Sequence, residues 1–273
     1  MFRKNFRLVS WNIGGRVGVN SQQAELLKHS RVDIVALQEV RVSALKKFQR
    51  IFPEFYLPYM EESVHLASEH SRRYGCLVAS QWPLRRIPSI LPMALFPERV
   101  LSVAVDSPWG EIELHTAHIV PGTSKGWKKI EMFDFIYQHL RCQSNRPRIL
   151  CGDFNSPQSE MIDGRIVTWG QRVKKNGEIM IKKGHENWDA GERSVLEGLA
   201  KHDLSDVFRI LNGYEAKAFS WFSKRKGEVI RRRFDHIFAS DVLNAYECQY
   251  LGDVVEQGLS DHAAIEAVFK PSL

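Results

Sequence analysis

The feature that most constrains the fold is a set of short apolar runs, each of which ends at a polar residue. LVSW precedes Asn12, VDIVALQ precedes Glu39, and RILCG precedes Asp153. A near-continuous apolar run is expected of a strand that is covered on both faces. Stretches with helical spacing, such as residues 126–141, separate these runs. The alternation predicts an α/β sandwich with mixed sheets.

The remaining elements follow from apolar periodicity and from turn residues. We predict strands at residues 7–13, 32–38, 75–80, 100–106, 111–119, 148–151, 219–223, 232–239, 246–254 and 263–269. We predict helices at residues 21–29 (capped by Ser21), 126–141 and 190–201. Asn176 and Gly177 interrupt a polar, basic stretch and indicate a β-hairpin. Because no linker or repeat marks a boundary, we predict one domain over residues 1–273, with a basic hairpin insertion around residues 163–183.

Composition narrows the class of protein. The apolar runs fall far short of the roughly 20 residues that a membrane span requires. The scattered cysteines predict free thiols rather than a disulfide framework or a zinc site. We therefore expect a soluble, cytoplasmic monomer with no membrane partner. The formal net charge of +6 is compatible with an anionic partner.

Asp153 and Asn155 are strong candidates for chemistry. They are two residues apart, so in an extended chain both side chains point to the same side. Gly152 lets the backbone turn tightly or approach another chain closely. A carboxylate can orient and deprotonate a water, while a neighbouring amide holds that water or a phosphoryl oxygen. The alternative is an Asp-Phe-Asn turn with local side-chain caps.

Asp235 lies in RRFDHIFAS, a segment with two largely apolar faces. We expect this carboxylate to be partly buried and therefore to need a partner. The candidate is His262, because an Asp–His pair would fix the tautomer and favour a protonated imidazole beside a phosphate. Asp261 would then be free to face a metal. The alternative is that the segment Ser260-Asp261-His262 only caps the last strand.

A metal at these strand ends would have hard oxygen ligands, because no Cys/His cluster shows ligand spacing. Asn12, Glu39 and Asp261 form a partial set of such ligands. Water and a substrate phosphate would complete an octahedron. Mg²⁺ fits that description best, and Mn²⁺ is the expected substitute.

The order of these segments resembles the endonuclease/exonuclease/phosphatase superfamily. WN, LQE, a Tyr or His after the middle strand, GDFN, a late Asp and SDH follow one another between Ser10 and His262. RRYGCLVAS, WDAGERSVLEGL and FSWFSKR resemble the exonuclease III class of abasic-site endonucleases. The resemblance implies a four-layered α/β sandwich with two packed mixed β-sheets flanked by helices. It also implies in-line, metal-assisted attack at the phosphorus of a phosphodiester.

The resemblance implies roles for the residues at the first strand ends. Glu39 would be the main metal ligand, helped by Asn12 and Asp261. Asp153 would activate the attacking water or assist the leaving group. Asn155 would position the nucleophile.

Other roles implied by the resemblance concern charge and substrate contact. His262, oriented by Asp235, would stabilise charge in the transition state. Trp221 would pack near the sugar or abasic site of the substrate.

Two departures separate this chain from plain exonuclease III-like enzymes. The segment in which those enzymes carry Tyr reads Thr-Ala-His here, so His118 would contact phosphate, as in relatives of deoxyribonuclease I. His115 is a second candidate for that contact. Gly14 stands where abasic endonucleases have Asn or Asp, so one contact to a metal-bound water would be missing.

The basic hairpin is the candidate substrate surface. Arg172, Lys174 and Lys175 are close in sequence to Trp169, a combination suited to tracking phosphates. The alternative is a solvated hairpin whose lysines keep an edge strand from pairing. A second basic cluster, residues 224–226 with 231–233, would widen the same positive face.

These observations predict a Mg²⁺-dependent phosphodiester hydrolase, with DNA as its partner. The leading hypothesis is an abasic-site endonuclease, a 3′-exonuclease or both, acting in DNA repair. The same-fold alternative is a phosphodiesterase or phosphatase for a tyrosyl–DNA adduct, a sphingolipid or an inositol phosphate. A catalytically inactive binding module would lack a catalytic residue, whereas the motif set here is intact.

Overall fold

The computed structural model describes residues 5–67, 74–88, 95–225 and 227–271. Its strands are β1 (Phe6–Asn12), β2 (Ile34–Arg41), β3 (Tyr59–Glu62), β4 (Tyr74–Ser80), β5 (Leu84–Arg86), β6 (Val100–Ser107), β7 (Gly110–His118), β8 (Arg148–Asp153), β9 (Ser159–Glu160), β10 (Ile166–Val167), β11 (Gln171–Val173), β12 (Ile179–Ile181), β13 (Ser205–Asp206), β14 (Trp221–Arg225), β15 (Glu228–Arg232), β16 (Asp235–Ala239), β17 (Ala245–Leu251) and β18 (Ala264–Phe269). Its α-helices are α1 (Asn20–His29), α2 (Val42–Glu54), α3 (Gly122–Lys125), α4 (Lys128–Leu140), α5 (Glu186–Leu196), α6 (Val207–Asn212) and α7 (Asp253–Glu256). Short 3-10 turns lie at Val64–Leu66, Pro97–Arg99, Gly198–His202 and Asp241–Leu243.

Two six-stranded mixed sheets form the centre of the fold. The first has the order β17-β18-β1-β2-β4-β3, and the second has the order β13-β16-β8-β7-β6-β5. Each sheet contains one parallel pair, β1 with β2 and β7 with β8. Their other pairs are antiparallel.

Three apolar clusters hold the layers together. One lies between the sheets, with Leu8 and Ala36 from the first sheet and Leu114 and Ile149 from the second. Another packs α1 and α2 on the outer face of the first sheet, and the third packs α4 and α5 on the outer face of the second. The predicted four-layered α/β sandwich is therefore confirmed.

The apolar run of β2 is buried on both faces, as predicted. Ile34 and Ala36 point into the cluster between the sheets, whereas Val35 and Leu37 point towards the outer helices. Side chains alternate across a strand, so a strand with a layer on each side needs apolar residues at successive positions. This explains why the run shows no alternation.

Several predicted boundaries were wrong. Helix α1 begins at Asn20 rather than Ser21, and its N-cap is Val19, which offers no side-chain cap. The stretch predicted as one strand over residues 232–239 is two strands, because β15 ends at Arg232 and β16 begins at Asp235. The break arises because β15 pairs with β14, whereas β16 pairs with β8. Helix α2 was not predicted.

The Asn176-Gly177 turn joins a hairpin, as predicted. Strands β11 and β12 pair antiparallel, and the Lys174 amide donates to the carbonyl of Glu178 across the turn. Gly177 has a φ of +83°, a backbone conformation that favours glycine. Among the described residues, no helix is long and apolar enough to cross a membrane.

Candidate active site

The predicted polar residues meet at one edge of the sandwich. Asn12 ends β1, His118 ends β7 and Asp153 ends β8. Asp235 opens β16 directly opposite Asp153, because β16 runs antiparallel to β8. His262 precedes β18, which runs antiparallel to β1 and so begins at this edge. Topology therefore brings together side chains that are far apart in sequence.

Asp153 is the centre of this group and is 1% exposed. Its Oδ2 accepts a hydrogen bond from Asn12 Nδ2 at 2.9 Å, which links the two sheets. Its Oδ1 accepts from the backbone amide of Asn155 at 2.9 Å. His118 Nε2 and His262 Nε2 lie 3.7 and 3.8 Å from Oδ2. Burial raises the pKa of Asp153, and His262 opposes that shift.

The predicted contact between Asp235 and His262 is present. His262 Nδ1 lies 2.8 Å from Asp235 Oδ2, and Asp235 is fully buried. Burial alone would lower the pKa of His262, but the carboxylates of Asp235 and Asp153 raise it to about 10. The imidazole therefore carries its positive charge with Nε2 directed towards Asp153.

Of the two candidate histidines in β7, His118 lies in the site and His115 does not. His118 Nε2 is 3.4 Å from Glu39 Oε1. His115 points to the opposite face, where its ring packs against His139 of α4 and its Nδ1 contacts Ser102 Oγ at 2.8 Å. The separation follows from their spacing of three residues, which places them on opposite faces of the strand.

His118 is held in place by its neighbours. Arg99 Nη1 lies 2.9 Å from His118 Nδ1, and the ring of Tyr74 stacks on the imidazole at a centroid distance of 6.2 Å. Burial, Arg99 and His262 hold the pKa of His118 well below its ordinary value. The same Arg99 nitrogen lies 3.2 Å from Nε2, so Nδ1 is the nearer acceptor. A neutral ring that accepts from Arg99 at Nδ1 carries its proton on Nε2, the nitrogen closer to Glu39 and Asp153.

Glu39 sits at an irregularity in β2. The register with β4 shifts between Leu37 and Val40, and Glu39 has a φ of +57°. This local break turns the Glu39 carboxylate out of the sheet and into the site. Burial raises the pKa of Glu39, while His262 and Arg99 lower it.

The residues predicted as metal ligands fit a hard divalent cation. Asp261 lies close enough to raise the pKa of Glu39, and the Asn12 side chain lowers it. In the described part of the chain, no Lys or Arg nitrogen lies within 4.0 Å of either carboxylate. Two neighbouring carboxylates repel each other, and a cation between them would offset that repulsion.

The glycines of the first motif pack against this pair of carboxylates. A Cβ on Gly14 would lie 3.1 Å from Asp261 Oδ1, and one on Gly15 would lie 3.5 Å from Glu39 Oε2. The Gly14 amide donates to Asn12 Oδ1 at 2.9 Å, so the turn itself orients the amide of Asn12. Gly14, at which this chain departs from the abasic endonucleases, therefore lies where the backbone passes close to Asp261.

A second acidic group lies deeper in the site. Asp153, Asp235 and His262 each offer one ligand atom, and these atoms lie within 4.8 Å of one another. One oxygen of Asp235 is buried without a hydrogen-bond partner. Because Nδ1 of His262 is bonded to Asp235, we regard this group as a hydrogen-bonded pair facing Asp153. Glu39, Asn12 and Asp261 remain the candidate ligands.

Gly152 is required by the approach of two strands. Its φ is +132°, and a Cβ there would lie 1.9 Å from the carbonyl oxygen of Ala117 in β7. We expect Gly152→Ala to destabilise the protein by more than about 3 kcal/mol, because backbone strain adds to a clash with backbone. Urea denaturation followed by circular dichroism measures the loss.

Gly177→Ala is the matched control for Gly152→Ala. Gly177 also has a positive φ, +83°, but no atom lies within 4 Å of its Cβ position. Only the backbone strain remains, so we expect a loss of about 1 kcal/mol. Similar losses for the two variants would contradict the close-approach explanation.

A family model supports the resemblance seen in the motifs. The model of the endonuclease/exonuclease/phosphatase family matches residues 9–262, which include every residue of the site described above. The chain belongs to the endonuclease/exonuclease/phosphatase family. Members of this family are hydrolases that act on phosphate esters, and they generally depend on a divalent metal. No curated protein sequence matches the chain significantly.

Solved structures share the fold of this family member. An AP endonuclease from Archaeoglobus fulgidus has 16% identity and a TM-score of 0.69, over 97% of this chain and 99% of that one. D. rerio TDP2, complexed with a single-strand DNA product, has 16% identity and a TM-score of 0.67, over 98% and 99%. An endonuclease/exonuclease/phosphatase from Beutenbergia cavernae has 17% identity and a TM-score of 0.67, over 99% and 72%. At these identities the likeness concerns the fold.

The residues predicted to bind substrate lie at different distances from this site. Trp221 stacks on Phe234 at 5.4 Å and forms a backbone bridge with His262, so it stands at the rim of the site. Arg172, Lys174 and Lys175 are exposed on the β11–β12 hairpin. The hairpin base is linked to the site through Trp169, whose Nε1 donates to the Asn155 carbonyl at 2.9 Å.

Only part of the second basic cluster, residues 224–226 with 231–233, lies at the protein surface. Arg233 is 5% exposed and pairs with Glu160 at 2.6 Å and Asp206 at 2.7 Å, so it cannot widen a positive face. The prediction was wrong for Arg233 because its two acidic partners come from distant segments. Lys224 and Arg231 are exposed, and residue 226 lies outside the described residues.

Sequence reasoning missed one wall of the site. A cavity of about 490 Å³ beside Glu39 and His118 is also lined by Tyr74, Phe96 and Arg99. Tyr74 and Arg99 lie at the beginnings of antiparallel strands, β4 and β6, that border the same edge. The start of an antiparallel strand lies beside the end of its neighbour, so both reach the same edge of the sheet. That rule would have predicted Tyr74 and Arg99 at this edge.

Proposed function

We propose that the protein is a Mg²⁺-dependent phosphodiester hydrolase that cleaves DNA, as an abasic-site endonuclease, a 3′-exonuclease or both. The observation that carries the proposal is the arrangement around Asp153. A buried carboxylate faces the charged Nε2 of His262, accepts a hydrogen bond from Asn12 Nδ2 and lies beside His118, which also contacts Glu39. This arrangement suits attack on phosphorus by a water that the protein orients.

Asp153 is proposed to orient the attacking water and to receive its proton. Its two oxygens are held by Asn12 and by the Asn155 backbone amide, so the carboxylate cannot rotate freely. Asn155 Nδ2 donates to the Ile119 carbonyl at 2.9 Å, which leaves its amide oxygen to accept from the water. A fixed general base contributes about 10²–10⁴-fold to a rate.

His262 is proposed to stabilise the negative charge that develops on the phosphoryl oxygens. Asp235 holds its Nδ1 proton, so Nε2 presents the second N–H to the substrate. His118 is proposed to donate from Nε2 to another phosphoryl oxygen. Both donors are held by buried neighbours, so little reorganisation accompanies the reaction.

Glu39, Asn12 and Asp261 are proposed to hold the metal. When bound there, Mg²⁺ would polarise the phosphoryl group and offset its charge. Mn²⁺ has similar ligand preferences and would substitute. The absence of a Lys or Arg nitrogen within 4.0 Å of the two carboxylates, among the described residues, supports this assignment.

Nucleic acid is supported as substrate by basic residues in and near the site. Arg99 and Lys125 line the cavity beside Glu39, and the hairpin, whose base contacts Asn155, carries exposed Arg172, Lys174 and Lys175. Phosphates spaced along a DNA strand would contact both surfaces. A small phosphodiester would contact only the cavity surface.

The alternative is a same-fold enzyme for another phosphate ester, such as a tyrosyl–DNA adduct, a sphingolipid or an inositol phosphate. It is favoured by His118, which replaces the Tyr of abasic endonucleases. One panel separates these functions: the protein with Mg²⁺ against abasic duplex, single-stranded DNA, RNA, a 5′-tyrosyl oligonucleotide, sphingomyelin, an inositol phosphate and bis-p-nitrophenyl phosphate. Preference for a lipid or an inositol phosphate would overturn the DNA assignment.

The hairpin is expected to contribute to DNA affinity rather than to chemistry. We expect the combined change of Arg172, Lys174 and Lys175 to Gln to weaken binding of a DNA duplex. The slope of log Kd against log salt should fall in magnitude by up to about 3, since each phosphate contact contributes about 0.9. Fluorescence anisotropy over a salt series measures it.

The matched control neutralises Arg146, Lys201 and Lys270. These side chains are also exposed, but they lie near the other ends of β8 and β18, away from the site. The control should leave the salt slope unchanged, and neither variant should lose hydrolysis of bis-p-nitrophenyl phosphate. Equal loss of DNA binding and of small-diester hydrolysis in the hairpin variant would contradict a separate substrate surface.

A further inference from the structure

Lys129 is a buried cation that the mechanism above does not use. It lies on α4 and is 1% exposed. Its ammonium lies 2.7 Å from Glu192 Oε1, 2.7 Å from Ser156 Oγ and 3.0 Å from the Asn155 carbonyl oxygen. An ammonium has three N–H donors, so these acceptors use all of them. Such complete pairing is what makes a buried charge tolerable.

Glu192, which lies on α5, has hydrogen-bond donors for both of its carboxylate oxygens. Its Oε1 accepts from Lys129 and from Trp188 Nε1 at 3.0 Å. Its Oε2 accepts from the backbone amide of Trp169 at 2.8 Å. Glu192 is 0% exposed, so these contacts lie entirely inside the protein. The pair therefore joins α4, α5 and the base of the basic hairpin.

The common target of these contacts is the Asn155 peptide. Asn155 has a φ of +49°, a left-handed conformation that Asn adopts more readily than other non-glycine residues. Its carbonyl receives two donors, Lys129 Nζ at 3.0 Å and Trp169 Nε1 at 2.9 Å. The same residue directs its backbone amide to Asp153 and its side chain towards the site.

We propose that Lys129 is a positioning residue, which, supported by Glu192, holds the Asn155 peptide so that the Asn155 side chain and Asp153 keep their relative orientation. Lys129 touches no substrate in this arrangement. It acts on the site through the carbonyl of Asn155 and the hydroxyl of Ser156, and its charge also lies close enough to Asp153 to interact with that carboxylate. The kinetic part of the inference rests on the proposed function, whereas its structural part does not.

A double variant without either charge tests whether Lys129 positions the Asn155 peptide or only neutralises the buried Glu192 carboxylate. Lys129→Met leaves the Glu192 carboxylate buried without its partner, which destabilises the fold by itself. Lys129→Met combined with Glu192→Gln removes both charges, so much of the stability should return. The hydrogen bond from Lys129 to the Asn155 carbonyl is absent in both variants, whereas Trp169 still supplies the other donor. If Lys129 only balanced a charge, the double variant would also regain its rate.

We expect the double variant to keep a kcat about 10–100-fold below that of the unmodified enzyme, because small misplacements of catalytic groups cost rate on this scale. Its KM should stay within about twofold, since Lys129 makes no substrate contact. Phe48→Leu is the control: it lowers stability in the core behind the other sheet and should leave kcat unchanged. A kcat restored to within about twofold in the double variant would overturn the proposal.

An NMR readout remains informative even if the enzyme cleaves none of the substrates in the panel. The Asn155 backbone amide, which donates to Asp153 Oδ1, should lose at least about tenfold of its hydrogen-exchange protection in the double variant. Phe48→Leu should not change that amide selectively. Unchanged protection and unchanged Asn155 side-chain resonances in the double variant would overturn the proposal independently of any activity.

Discussion

Asp153→Asn is expected to lower kcat about 10³–10⁴-fold on the preferred phosphodiester, with a smaller effect on KM. An amide has nearly the shape of the carboxylate but cannot receive the proton of the attacking water. The change also removes one of the three carboxylates that favour the charged form of His262, so charge stabilisation at phosphorus should weaken with it. Single-turnover kinetics at saturating Mg²⁺ measure the chemical step.

Asp163→Asn is the control for this substitution. Asp163 is an exposed carboxylate in the loop that follows the site, and its partner is Arg165. The Asp163→Asn variant should cleave the substrate at the native rate. Thermal unfolding must show Asp153→Asn to be folded, since only then does its rate report on chemistry. A loss of less than about tenfold would mean that another group receives the proton.

The predicted residues that the structure brings together share one physical property. Asn12, Asp153 and His118 each end a strand whose preceding residues are buried. A polar side chain after an apolar run is visible in the sequence, and parallel strands bring such ends to one edge. Neighbouring strand ends therefore suffice to predict most of the site. The register of Asp235 against Asp153 then follows from the antiparallel pairing of β16 with β8.

The residues that were missed depend on partners far away in the chain. Lys129 meets Glu192 63 residues later, and Arg233 meets Glu160 73 residues earlier. In the sequence both look like surface charges, because Lys and Arg are mostly exposed unless paired. Only the packing of distant segments reveals such a pair, so the basic cluster was overestimated.

The same limit applies to Arg99 and the cavity wall. Arg99 stands beside Glu98 and before an apolar strand, which is an ordinary loop pattern. Its importance comes from the ring of His118 at 2.9 Å and from the ring of Tyr74 at 5.4 Å from its guanidinium carbon. These contacts require the pairing of β6 with β7, which the local sequence does not specify.

Glu39→Gln is expected to lower kcat/KM about 10²–10³-fold at limiting Mg²⁺, because a metal contributes several kcal/mol to such reactions and each 1.36 kcal/mol is about tenfold. Gln retains an oxygen donor and the side-chain length at this φ of +57°, but it removes the negative charge. Much of the lost rate should return at high Mg²⁺ concentration. Rates measured over a Mg²⁺ titration test this expectation.

Metal binding can also be measured without catalysis, which separates the role of Glu39 from the choice of substrate. A ligand that binds only the folded state raises the unfolding temperature in proportion to the logarithm of its concentration over Kd. We expect Mg²⁺ and Mn²⁺ to stabilise the native protein and to stabilise Glu39→Gln much less. Glu61→Gln, on the edge strand β3, should respond like the native protein. If Glu39→Gln keeps the full thermal shift and the full rate at limiting Mg²⁺, Glu39 is not a metal ligand, and the buried group of Asp153, Asp235 and His262 becomes the better candidate.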